Sequence, residues 1–165
     1  MAVAWLPPLL AHADSEALNF SCVAKRVDQK STTNEKGEIA IDTEDWVYIV
    51  TLQNTTFTDM ANVEVKYIIF YKQEELGSTA GPRLGKQSGS AKIDSIKGND
   101  QAEFSTAPVK LEKSSLQGGR YFPNGARPQA EASLTGLWIR VYQNGNLIAE
   151  MAKPTNLPSK EKWAE

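Results

Sequence analysis

Leu134-Thr135-Gly136-Leu137-Trp138-Ile139-Arg140-Val141-Tyr142-Gln143-Asn144-Gly145-Asn146-Leu147-Ile148-Ala149-Glu150-Met151-Ala152 is the stretch whose reading decides the fold. Two alternating runs flank Asn144-Gly145, a pair that tolerates the positive φ angles of a type I′ turn and so joins two antiparallel strands directly. A period of two puts Leu137, Ile139 and Val141 on one face of the first strand, and Trp138, Arg140 and Tyr142 on the other. On the second strand, Leu147, Ala149 and Met151 oppose Ile148 and Glu150. The apolar face of such a hairpin needs a second sheet to cover it.

The upstream chain supplies the strands. Trp46–Asn54 alternates cleanly, with Trp46, Tyr48, Val50 and Leu52 on one face, and β-branched and aromatic residues dominate it, as a half-buried pleated surface favours. Ala61–Gln73 repeats the pattern through Val63, Val65, Tyr67, Ile69 and Tyr71. Ala17–Val27, Glu38–Asp42, Ala91–Ile96 and Ala102–Ala107 are further strand candidates, and Val109–Leu116 reads either as a helical turn or as an edge strand. Asp28–Gly37, residues 74–90 and Gln117–Ala132 are rich in Gly, Pro and polar residues and read as loops. Thr43-Glu44-Asp45 reads as a turn, and Arg120, Tyr121 and Phe122 are expected to fold back as a lid. No helical periodicity is sustained anywhere, and no repeat appears. The prediction is an all-β, two-sheet antiparallel sandwich of about seven strands with long loops, a closed barrel being the alternative. Its core centres on Trp46, Tyr48, Val50, Leu52, Val65, Tyr67, Ile69, Leu137, Ile139 and Val141.

With 165 residues, 41% of them apolar and 23% charged, the chain has room for one globular domain. Eighteen basic and 20 acidic residues leave a formal net charge of −2. No basic stripe points to nucleic acid. Met1–Ala13 is apolar and ends in Ala11-His12-Ala13, an A-x-A pattern of the kind signal peptidases cut. It is too short to span a bilayer, which takes about 20 residues. It reads as the later half of a secretory signal peptide, which makes residues 14–165 an exported domain with a C-terminal tail at 153–165. A packed N-terminal arm is the competing reading. Cys22 is the single cysteine, so no intrachain disulfide can form, and its place beside Leu18, Phe20 and Ala24 suits a small buried hydrophobe.

Catalytic chemistry is hard to assemble from these residues. The single histidine, His12, leaves with the signal segment, which removes Ser-His-Asp and Cys-His catalysis and any His-containing zinc site. Glu44-Asp45 and Glu74-Glu75 read as solvated pairs at strand ends. Weak calcium binding by Asp42, Glu44 and Asp45 is a minor alternative. Gly81-Pro82-Arg83-Leu84-Gly85-Lys86 lacks the spacing, the Ser/Thr and the strand-to-helix context of a phosphate-binding loop. Asn19-Phe20-Ser21 and Asn54-Thr55-Thr56 match the glycosylation acceptor pattern. No cofactor and no metal site are expected.

Aromatic residues give the positive hint of binding. Trp138, Arg140 and Tyr142 share a strand face, and Tyr121, Phe122 and Trp163 could extend it into a patch for a protein partner or a sugar ring. Burial of Trp138 and Tyr142 beneath the 117–132 loop or the Trp163 tail is the competing expectation.

Val50-Thr51-Leu52-Gln53-Asn54, Val63-Glu64-Val65-Lys66-Tyr67 and Gly136-Leu137-Trp138-Ile139-Arg140-Val141-Tyr142 together resemble exported bacterial immunoglobulin-like domains, including those of surface and pilus-like assemblies. The resemblance spans roughly residues 17–152 as a strand pattern, without the disulfide of antibody-type domains. It implies an immunoglobulin-like sandwich serving adhesion, assembly or envelope structure, with a protein partner or self-association. A carbohydrate-binding module using Trp138 and Tyr142 is the alternative, and a hydrolase using carboxylates alone comes third.

Overall fold

The structure, a computed structural model, describes residues 17–163, so the expected signal segment lies outside the described residues. Two antiparallel sheets pack face to face, and the fold is an all-β sandwich. Along the chain run β1 (Leu18–Thr33), β2 (Ile39–Asn54), β3 (Met60–Gln73), β4 (Arg83–Ile96) and β5 (Gln101–Ser105). They are followed by β6 (Val109–Leu116), β7 (Gln129–Ala130), β8 (Ala132–Gln143), β9 (Asn146–Lys153) and a short helix α1 (Leu157–Lys160). One sheet has the order β1-β2-β6-β7, with β5 sharing the edge of β2 that β6 also uses; the other is β4-β3-β8-β9. Among the described residues there are nine strands, against the seven or so expected.

The β8–β9 hairpin forms as its sequence predicts. Asn144 (φ 49°) and Gly145 (φ 81°) turn the chain, and Gln143 pairs with Asn146. Leu137, Ile139 and Val141 are fully buried against Val50, Leu52, Val65 and Ile69 of the two sheets. Each such side chain removed from water stabilises the fold by roughly 1.5–3 kcal/mol before chain entropy is counted. One detail differs. Val141 pairs with Ala149 but Tyr142 pairs with Leu147, so the ladder has a bulge at Ile148. The extra residue carries Leu147, expected on one face with Ala149 and Met151, out to the exposed side, while Ile148 packs against the core.

Three segments expected to be loops or turns are strands. Asp28–Thr33 continues β1, paired with Asp45–Ala40 of β2 after an irregularity between Arg26 and Asp28. Thr43-Glu44-Asp45 lies inside β2, and residues 83–90 form the first half of β4. The last case has a clear cause. A Cβ at Gly85 would overlap the Tyr71 ring, and one at Gly89 would overlap the Tyr67 ring. These glycines let two tyrosines lie across the strand, so loop-like composition here records close packing. Gln117–Pro128 is largely irregular, as expected, and ends at β7.

Between β5 and β6 the edge of β2 is bridged by Thr106-Ala107-Pro108. Tyr48 N donates to Thr106 Oγ1 and Thr106 N to Tyr48 O, each at 2.9 Å. Ala107 N donates to Tyr67 Oη at 2.8 Å, which ties the gap to the opposite sheet. No helix of the described residues is long and apolar enough to cross a membrane.

Candidate functional site

Trp138 sits on the outer face of the second sheet and is only 4% exposed. The C-terminal tail covers it. Leu157 of α1 packs with Ile68, Phe70 and Trp138 in a second, smaller apolar cluster, and Trp163 packs against the same group. The Trp163 ring meets Trp138 edge-on, with centroids 5.3 Å apart and planes at 82°, a favoured aromatic geometry. Arg140 lies 4.4 Å from the Trp163 centroid and 5.4 Å from that of Trp138. Its Nε donates to Glu150 Oε1 at 2.8 Å, and the Trp138 indole donates to the same oxygen at 2.7 Å. Trp163 Nε1 is buried without a partner among the described residues.

The six residues singled out in the sequence therefore do not form one patch. Trp138, Arg140 and Trp163 come together as a closed cluster. Tyr142, partly buried, lies on the same sheet face beneath Lys66, whose ammonium is 5.3 Å from the ring centroid. Tyr121 and Phe122 are elsewhere. Phe122 rests against Gly77, and Asn124 Nδ2 donates to Gly77 O at 2.9 Å, so this loop closes on the 74–82 turn. Tyr121 is 81% exposed at its edge. Arg120 pairs with Glu38.

The acidic residues also find other roles. Glu44 is buried inside β2, where Arg26 Nη1 and the Trp46 indole each donate at 2.9 Å and Lys113 Nζ lies 3.3 Å away. The Trp46 hydrogen bond, supported by Arg26 and Lys113, holds its carboxyl below the ordinary range against the opposing effect of burial. Asp45, next along the strand, points to the opposite face, and among the described residues no three His, Cys, Asp or Glu side chains converge as metal ligands do. Glu75 pairs with Arg83 at 3.0 Å. Burial raises the Cys22 thiol pKa, with Lys153 opposing, and burial followed by Cys22 pushes Tyr48 up to about 12. Both side chains are core residues.

Sequence reasoning passed over Phe57. It is 92% exposed at the tip of the loop between β2 and β3, and that loop is tightly clamped. Asn54, fully buried, donates through Nδ2 to Thr58 O (2.8 Å), Ile96 O (3.2 Å) and Lys97 O (3.1 Å). Its Oδ1 accepts from Thr56 N at 3.0 Å and Thr56 Oγ1 at 2.7 Å. Asn99 N donates to Thr56 O at 2.8 Å, and Gly98 N to Asp59 Oδ1 at 3.0 Å. A Cβ at Gly98 would come within 2.5 Å of the Phe57 carbonyl, so the 97–100 turn fits directly against the loop. Asn54 is thus a buried hub whose amide nitrogen is fully engaged. Its one sequence signal was an Asn closing an apolar strand before three threonines.

No family model matches the chain, and no curated protein matches it. Among solved structures, the X-ray structure of the Northeast Structural Genomics Consortium target SoR45 aligns with a TM-score of 0.44 at 9% identity, covering 84% of this chain and 86% of that one. A crystal structure from Akkermansia muciniphila aligns with a TM-score of 0.31 at 8% identity, covering 82% and 71% respectively.

Proposed function

We propose that the chain is an exported, non-enzymatic domain that works through protein contacts in surface or envelope assembly. The observation that carries this reading is Phe57, a large apolar side chain held in water by a loop with little freedom to withdraw it. Interface hot spots are commonly rigid aromatic anchors of this kind. The long β1 edge, Leu18–Thr33, is a second surface open to pairing, since among the described residues β2 is its one neighbour in the sheet. The apolar run before Ala11-His12-Ala13 supports export. The glycan-binding alternative has less support, because the chain's own tail occupies the Trp138 ring.

A photo-reactive amino acid placed at position 57, and separately at position 121, tests this in living cells. Covalent adducts with protein are expected at position 57. Absence of adducts at both positions, or turnover of a glycan or ester substrate by the purified chain, overturns the reading. Amino-terminal sequencing of the exported protein is expected to begin at Asp14.

A further inference from the structure

The chain carries both an exposed aromatic knob, Phe57, and an apolar-floored hollow between β4 and the C-terminal tail. We propose that Phe57 is the knob of a head-to-tail contact between copies of this chain, and that the hollow lined by Phe70, Leu84, Pro154 and Leu157 is its socket. This inference rests on the protein-contact reading above and names the partner as a second copy.

The socket has a volume of about 210 Å³. That is below the roughly 300–1,000 Å³ of a pocket for a drug-sized ligand and suits a single side chain. Its floor is the apolar cluster of Phe70 and Leu157, and its wall is Leu84, which is 70% exposed and gains cover when a ring enters. Charge favours the same pairing. Asp59 and Asp100, both exposed, outnumber the exposed Lys97 in the turns beside the knob, while Lys160 is exposed at the socket rim. The acid at the rim, Glu161, is already paired with Lys86 at 2.6 Å.

The two features also lie apart on the molecule. Phe57 precedes Met60 at the start of β3, whereas Phe70 is ten residues further on, about 33 Å along the strand. In the head-to-tail arrangement proposed, each copy that fills its neighbour's socket still offers a free socket or knob to the next, unlike a two-fold dimer, in which the two contacts close on each other. Such contacts build rings or open filaments. A membrane is the poorer occupant, since Asp59 and Asp100 outnumber Lys97 near Phe57 and anionic lipid surfaces attract clusters of Lys and Arg.

Sedimentation velocity of the full-length chain, from micromolar to millimolar concentration, tests the proposal. Species larger than dimers are expected to grow with concentration. Phe57→Asp and Leu84→Asp, both at exposed positions and checked for folding by circular dichroism, are each expected to weaken association at least about tenfold. An equimolar mixture of the two variants retains one working knob and one working socket, and is expected to stop at dimers. A wild-type chain that stays monomeric, variants that assemble like the wild type, or a mixture that fails to dimerise would each overturn the proposal. A monomeric chain whose Phe57 crosslinks to a different protein in cells sinks self-assembly alone and leaves the protein-contact reading standing. Loss of liposome binding on Phe57→Asp would assign the knob to a membrane and overturn both.

Discussion

Trp138 and Phe57 are large aromatic residues on opposite sides of the exposure scale, at 4% and 92%. In the sequence Trp138 looks like the binding residue, since it alternates with Arg140 and Tyr142 on a strand face. In the fold the tail takes that face, and a carboxylate takes the indole N–H. Phe57 sits among threonines in a connecting loop, where no periodicity marks it, yet its backbone is fixed from both sides. The difference teaches that exposure of an aromatic residue depends on what distant segments bring to it. Residues 154–163 bring a cover to Trp138. Residues 96–100 bring only a backbone brace to Phe57.

The comparison can be broken at the buried side first. Trp138→Ala is expected to destabilise the domain by about 3–5 kcal/mol in urea unfolding, as for a large aromatic deleted from a packed site. Phe57→Ala is expected to stay within about 0.5 kcal/mol of wild type. Equal losses in the two variants would show that the two environments have been read wrongly.

Asn54→Ala comes next in size, at about 2 kcal/mol or more, because it strands buried carbonyls and an amide that Asn54 now satisfies. Hydrogen exchange should speed up in residues 55–59 and 97–100 while leaving the β8–β9 hairpin unchanged. Trp163→Ala is expected to cost about 1–2 kcal/mol and to shift tryptophan emission to the red as Trp138 meets water. An unchanged spectrum would mean that the tail does not shield it.

The smallest effect concerns the other tethered indole. Glu44, whose folded pKa is lowered chiefly by the Trp46 hydrogen bond, contributes stability that is present above the ordinary glutamate value of 4.5. That contribution is lost as pH falls below 4.5 through the lowered folded value. Glu44→Gln should therefore flatten the acid side of the stability profile, read as urea midpoints from pH 6 downward. Identical acid slopes would remove Glu44 from the account.

Much of the architecture was legible because burial writes a period of two. Leu137, Ile139 and Val141, like Val50 and Leu52, lie in core positions that alternation alone identifies. The pattern fails where that cause is absent. Asp28–Thr33 continues β1 with its side chains exposed, so neither face is selected for apolarity. Gly85 and Gly89 are inner positions filled by tyrosines from the neighbouring strand, which a reading of single residues scores as a loop. Glu44 reads as a turn residue because its partners, Arg26 and Lys113, come from strands on either side of β2. The site was less legible than the fold. Of its proposed members, Trp138, Arg140 and Trp163 meet, but in a cluster closed by the tail, and the hub at Asn54 reads in sequence as no more than the polar end of an apolar strand.

The end-to-end placement of β5 and β6 along one edge of β2 has a consequence in time. β1 and β2 are neighbours in sequence and can pair as soon as both exist. The other edge of β2 stays open until residues 101–116 arrive from beyond an intervening hairpin of the opposite sheet. Sheets dominated by such distant pairings fold in milliseconds to seconds, whereas local contacts form in microseconds. For that interval a nascent chain leaves the backbone N–H and C=O groups along one edge of β2 unpaired, a template for pairing with another chain that a chaperone would have to protect.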